Sequence, residues 1–142
     1  MREYDEQRAL MTYVWRNYPE LVRPHQCLPS SEAIRDALPA DARDAYWQHT
    51  LECRRIVADS IAEDVRESRN GYIVHMTPML PQLSPELLEL VTPITERLEI
   101  EAFWEMFRPH QSQVSINRCP ECSRILINEK TRQCLSCGHD WH

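Results

Sequence analysis

The chain has 142 residues, 42% hydrophobic and 27% charged, with a net charge of −6; this is a globular composition, the size of one ordinary domain or of a domain with a small appendage. No stretch approaches the roughly 18 consecutive apolar residues of a membrane span, and no apolar leader follows the charged start Met1-Arg2-Glu3-Tyr4-Asp5, so a cytoplasmic protein with no membrane partner is expected. Six cysteines in such a chain favour metal over disulfides, and two glycines are too few for a phosphate-binding loop.

In chain order, Leu10, Met11, Val14, Trp15 and Tyr18 recur at three and four and predict a helix over 5–18, ended by Pro19. Residues 19–30 hold three prolines and no glycine, an irregular, stiff connection. Ser30 or Ser31 caps a short helix through Leu38, which Pro39 closes. Asp41 then opens the longest predicted element, 41–69. Tyr46, His49, Cys53, Ile56, Ser60 and Ile61 form one stripe on it, and Trp47, Leu51, Ala58 and Ala62 a second, so it is expected to sit between other elements. Such a helix would also allow pairing with a copy of itself. Asn70-Gly71 is a left-handed helix stop. Tyr72–Met76 reads as a short strand or the start of an extended connection.

Ser84-Pro85-Glu86 supplies a cap, a proline at the first helical position and an acid at the positive dipole end. Thr92-Pro93-Ile94-Thr95-Glu96 repeats that signal, so either two helices abut or one kinks at Pro93. Leu98, Ala102, Phe103, Met106 and Phe107 form an apolar face, and Arg108-Pro109 ends the element. No internal repeat stands out. The expected fold is mainly α: a helical domain over 1–110, a linker over 111–117 and a small C-terminal module over 118–142.

That module carries the specific chemistry. Cys119-Pro120-Glu121-Cys122 and Cys134-Leu135-Ser136-Cys137-Gly138 give the spacing C-x2-C-x11-C-x2-C. A Cys-x-x-Cys turn aims both sulfurs at one point, and two such turns close the four-ligand tetrahedron that structural zinc prefers. The eleven intervening residues suffice for strands at 124–127 and 131–133 with a turn at 128–130. Gly138 fits a position that needs positive φ. A segment this short cannot bury enough surface to fold alone, and one bound Zn2+ would supply the deficit. The stretch resembles the zinc-ribbon family, two cysteine knuckles on a small β-hairpin. The resemblance covers about residues 117–142 and implies Cys119, Cys122, Cys134 and Cys137 as the ligands of one structural zinc. Ser123 stands where a first-knuckle glycine is common. His139 and His142 read as bystanders, with His139 in reach of a sulfur and Trp141 as a cap.

Residues 1–115 carry 12 Arg against 19 acids, a net −7, whereas 116–142 carry Arg118, Arg124, Lys130 and Arg132 against Glu121, Glu129 and Asp140, a net +1. Four thiolates and one zinc would make the metallated segment slightly negative, so these cations are expected chiefly to neutralise the cluster. Nucleic-acid binding needs a positive surface, which this chain does not advertise. Elsewhere, His49 and Cys53 share a helix face, and with His25 and Cys27 could make a second metal site. The plainer reading makes Cys53 a small core residue and His49 its hydrogen-bonded flank. A nucleophilic Cys27 or Cys53 with His49 or His75 as base is a further, weaker option. Met76, Met79, Leu80 and Leu83 either cover the helical core or present a groove.

Three functions stay open. The leading one is a non-enzymatic adaptor or regulator whose structural zinc module docks on a macromolecule, by preference a protein. The second is nucleic-acid binding through Arg118, Arg124, Lys130 and Arg132. The third is a redox- or zinc-responsive switch in which oxidised thiolates release the metal.

Overall fold

The computed structural model describes residues 3–69 and 79–142, with backbone alone for 64–69. Its elements are α1 (Glu6–Asn17), α2 (Pro24–Cys27), α3 (Ser31–Ala37), α4 (Ala40–Arg69), α5 (Pro85–Phe107) and a 3-10 helix over Arg108–Gln113. No helix among the described residues is long and apolar enough to cross a membrane. The stop expected at Asn70-Gly71 and the extended stretch at Tyr72–Met76 lie outside the described residues.

Local signals set most helix ends. Asp5 caps α1 by accepting from the Arg8 N–H at 3.1 Å, and Ser30 caps α3 by accepting from the Ala33 N–H at 3.1 Å. The 19–30 connection is less irregular than expected. Pro24 sits at the first helical position, where its missing N–H costs nothing, and starts the single turn α2. α5 is one helix through Pro93. There the backbone loses one hydrogen bond, while the Thr92 hydroxyl donates to Leu88 O at 2.8 Å one turn back. Arg108-Pro109 does not end the element in open chain; it tightens into the 3-10 helix through Gln113.

The chain divides into two compact units, Met1–Leu28 with Arg97–His142, and Pro29–Glu96. This differs from the expected division at 110 and 118, because α1 and the end of α5 belong with the cysteine segment. The core of the first unit is Met11, Val14, Val22, Cys27, Phe103 and Phe107, each fully buried. Phe103 and Phe107 stack at 5.1 Å between centroids, and Trp15 meets Phe103 edge-on at 6.3 Å. The apolar faces read from the sequence of α1 and the end of α5 are those that meet here. The Trp104 indole N–H finds a partner in Gln7 Oε1 at 3.0 Å.

In the second unit α3 packs on α4, burying Ile34, Leu38, Ala42 and Tyr46. α4 is not sandwiched as its two stripes suggested. Among its described side chains only Ala42, Tyr46 and Thr50 are buried; Leu51, Val57 and Ile61 are exposed. Trp47 lies beneath the Arg35 and Arg54 guanidinium groups, 4.3 and 5.1 Å from its ring centroid. Met79 is 95% exposed and Leu80 46%, so neither covers a core.

Candidate metal centre

The two Cys-x-x-Cys turns are the same structure used twice. In the first, the Cys119 N–H donates to Arg124 O (2.9 Å), the Ser123 N–H to Cys119 O (2.9 Å) and the Leu126 N–H to Asn117 O (2.9 Å). In the second, Cys134 donates to His139 O (2.8 Å), Gly138 to Cys134 O (2.8 Å) and Trp141 to Arg132 O (3.1 Å). Every partner is displaced by 15 residues. Ser123 (φ +63°) and Gly138 (φ +79°) hold the same left-handed position. A repeat is therefore present, although the side chains disguise it: only the cysteines recur between Asn117–Leu126 and Arg132–Trp141.

This pattern also explains the missing hairpin. Among the described residues no strand forms over 124–127 or 131–133; two isolated antiparallel bridges join Arg118 to Ile125 and Gln133 to Asp140. Backbone groups expected to pair the two segments are engaged elsewhere: Arg124 O, Leu126 N–H and Arg132 O inside the knuckles, and Ile125 N–H and Ile127 O with Tyr4 and Asn17. The turn at 128–130 is where the sequence placed it, held by Asn128 Oδ1, which accepts from the Lys130 N–H at 2.9 Å and the Thr131 hydroxyl at 3.1 Å.

The turns bring the four sulfurs together. Cys119, Cys122, Cys134 and Cys137 Sγ all lie within 4.8 Å of one another, an arrangement that can hold a metal ion. Cys119–Cys137 and Cys122–Cys134 are 3.6 Å apart, far beyond the about 2.05 Å of a disulfide, and all six cysteines are free thiols. Cys119 and Cys134 are buried, Cys122 is half-buried and Cys137 is exposed at the rim. Leu126 and Trp141 pack around the cluster.

Backbone amides favour thiolate here. The Cys122 N–H points at Cys119 Sγ (3.5 Å). At Cys134 the amides of Cys137 and Ser136, outweighing desolvation, lower the thiol to about 6. The remaining protons are held back: the His139 amide pulls Cys137 down, but desolvation and the neighbouring thiols push it up to about 12. Cys122 is raised as well, its Arg124 amide outweighed by burial and by the Cys134 and Cys119 thiols. With no ion present, four adjacent thiols cannot all ionise; a bound cation removes that conflict.

The cluster is seated on α1. The Ile125 N–H donates to the Tyr4 hydroxyl (3.1 Å), and the Asn17 amide donates to Ile127 O (3.0 Å). Tyr18 donates its hydroxyl proton to the Glu129 carboxylate. Tyr13 donates to Ser115 O (2.7 Å) and accepts from the Asn117 N–H (3.3 Å), which fixes the entry into the first knuckle. The Asn117 side chain then donates to Asn128 O and Thr131 O, both at 2.9 Å, tying the turn to the first knuckle. Residues 111–117 are thus held in place. Asn117, Tyr13 and Tyr4 were not singled out from the sequence; an isolated Asn two residues before a knuckle carries no local signal.

The cations are placed differently from expectation. Arg118 pairs with the Glu6 carboxylate and donates to Ser123 O at 3.0 Å. Arg124 lies over the Tyr4 ring, 4.9 Å from its centroid. These two serve the joint with α1 rather than the sulfurs. Lys130 and Arg132 are exposed on the turn and on the approach to the second knuckle. His139 stacks on Trp141 (5.5 Å between centroids) and is not among the clustered ligands.

No second cluster of three or more ligands forms among the described residues; His25 and Cys27 belong to the first unit, His49 and Cys53 to the second. Cys27 is a fully buried core residue, its thiol raised chiefly by desolvation. His49 Nε2 bonds Pro81 O at 2.8 Å. Cys53 Sγ stands 3.8 Å from His49 Nε2 and 3.9 Å from Nδ1, within hydrogen-bond reach of the ring. His75 lies outside the described residues. Comparison with known protein families, with curated proteins and with solved structures found no match to this chain.

Proposed function

We propose that the chain is a non-enzymatic, zinc-binding adaptor in which a structural, ribbon-like four-cysteine centre fixes a surface that docks on a protein. The observation that carries this reading is the pair of 3.6 Å cross-distances, Cys119–Cys137 and Cys122–Cys134. Zn–S bonds of about 2.3 Å in a tetrahedron put the sulfurs about 3.8 Å apart. Four thiolates also fill the coordination sphere, which leaves no open position for water or substrate and suits a structural role. Around the centre, Leu135 is 81% exposed at the tip of the second knuckle and Ile127 is 47% exposed on the turn. Both are apolar side chains presented on a metal-held backbone.

Nucleic-acid binding draws less support. Two of its four cations, Arg118 and Arg124, are engaged with Glu6 and Tyr4. A redox-responsive variant of the adaptor has one favourable feature: Cys137, at the exposed rim, is open to an oxidant. Mild peroxide followed by zinc release would be its signature.

The adaptor reading is tested by affinity capture with the intact chain and with Leu135→Glu, before and after chelation. A protein partner retained in high salt, and lost both in Leu135→Glu and on chelation, is expected. Capture indifferent to both treatments contradicts it.

A further inference from the structure

The Pro29–Glu96 unit holds a surface that the metal centre does not use. A cleft of about 500 Å³ opens along α4, lined by Tyr46, Cys53, Val57, Ile61, Leu83 and Val91 among others. Tyr46 and Val91 form its buried floor, whereas Val57 and Ile61 are 37% and 58% exposed, so the cleft opens to the surface at that end. Three of its polar residues are engaged within the chain. Thr50 donates to Tyr46 O (3.1 Å), His49 bonds Pro81 O (2.8 Å), and Arg54 pairs with Glu32 (2.7 Å). Small-molecule sites aim a few polar groups at their ligand to orient it. Here the lining is mostly apolar, and what the cleft chiefly offers is apolar surface at helical spacing.

Charge narrows the occupant. Residues 29–96 carry twelve acids and six Arg, so the entire net −6 of the chain resides in this unit. Three of those Arg are already matched: Arg35 with Asp36, Arg54 with Glu32, and Arg55 with both Glu52 and Asp59. A second copy would bring like charge to the same face, and an anionic surface would be repelled. A partner with an apolar ridge flanked by Lys and Arg satisfies both features at once.

We propose that this cleft is a docking groove for a basic amphipathic helix of a partner protein. The inference shares the protein-partner reading but rests on a different surface from the cysteine centre, and the two fail separately. The test uses the intact zinc-loaded chain and a Leu/Lys peptide with leucines at i, i+3, i+4 and i+7. Alongside it run the same peptide with Glu for Lys, and the Val57→Ser/Ile61→Ser double variant, whose changes fall on exposed positions. Micromolar binding of the Lys peptide is expected, absent for the Glu peptide and weakened about tenfold or more in the double variant. Leu135→Glu should bind the Lys peptide as the parent chain does. Equal binding of both peptides, binding unchanged in the double variant, no binding at all, or self-association that the double variant abolishes would each overturn the groove. If only the peptide arms fail while capture still depends on Leu135, the adaptor reading stands and the groove does not.

Discussion

Ser123 and Gly138 occupy equivalent left-handed positions, yet only one is glycine. An L-residue in this region costs roughly 1–2 kcal/mol, which glycine avoids at a smaller cost in chain entropy. Ser123→Gly should therefore stabilise the cysteine segment by about 0.5 kcal/mol, read as a small rise in melting temperature. Gly138→Ala should cost about 1 kcal/mol by strain alone, because nothing lies within 4 Å of the added Cβ. With metal binding coupled to folding of the segment, that loss appears as roughly fivefold weaker zinc affinity in a chelator competition. The cysteine spacing made the four-sulfur cluster legible, and Gly138 was legible as its turn. Ser123 was noticed only as a departure, because the 15-residue repeat resides in backbone hydrogen bonds that dissimilar side chains conceal.

The elements that hold the module are α1 and the knuckles, and their joint is made of side chains far apart in sequence. Tyr13 is 2% exposed, and its hydroxyl serves both Ser115 O and the Asn117 N–H. Tyr13→Phe should destabilise the first unit by about 1–2 kcal/mol in denaturant unfolding. The Arg118–Glu6 pair gives a pH signature. The Arg118 hydrogen bond, then that from Tyr4, holds the Glu6 carboxyl below its usual value. A lowered carboxyl contributes stability that is full above the ordinary carboxylate range and is lost as pH falls through the lowered value. Both side chains are about half exposed, so Arg118→Gln should cost only a few tenths of a kcal/mol at neutral pH. That difference from the parent chain should shrink as pH falls below the ordinary carboxylate range, and a gap that does not narrow at all would rule out this pairing as its cause. Helix ends were readable because Pro19, Ser30 and Pro85 act through neighbours a few residues away. The strands expected at 124–127 and 131–133 were not, since their composition permits a ladder that the knuckles pre-empt. Nor could periodicity alone tell that the second stripe of α4 would stay open.

At the scale of the whole chain, two compact units differ in charge. One unites α1, the end of α5 and the cysteine segment and is electrically neutral by sequence; the other, Pro29–Glu96, carries all the net charge. This division was hidden because the first unit joins segments that begin and end the chain, which composition read along the sequence cannot join. Metal removal should accordingly act on the first unit. Chelation is expected to change Trp141 fluorescence, since that ring packs against the cysteines, while leaving most of the far-UV helix signal in place. Acidification should also weaken metal binding, because thiols must lose protons to ligate. The most direct measurement is zinc content by elemental analysis of the purified chain and of Cys134→Ser. One zinc per chain, lost in the variant, is the predicted result; a parent chain without zinc, or a variant that retains it in full, would contradict the account.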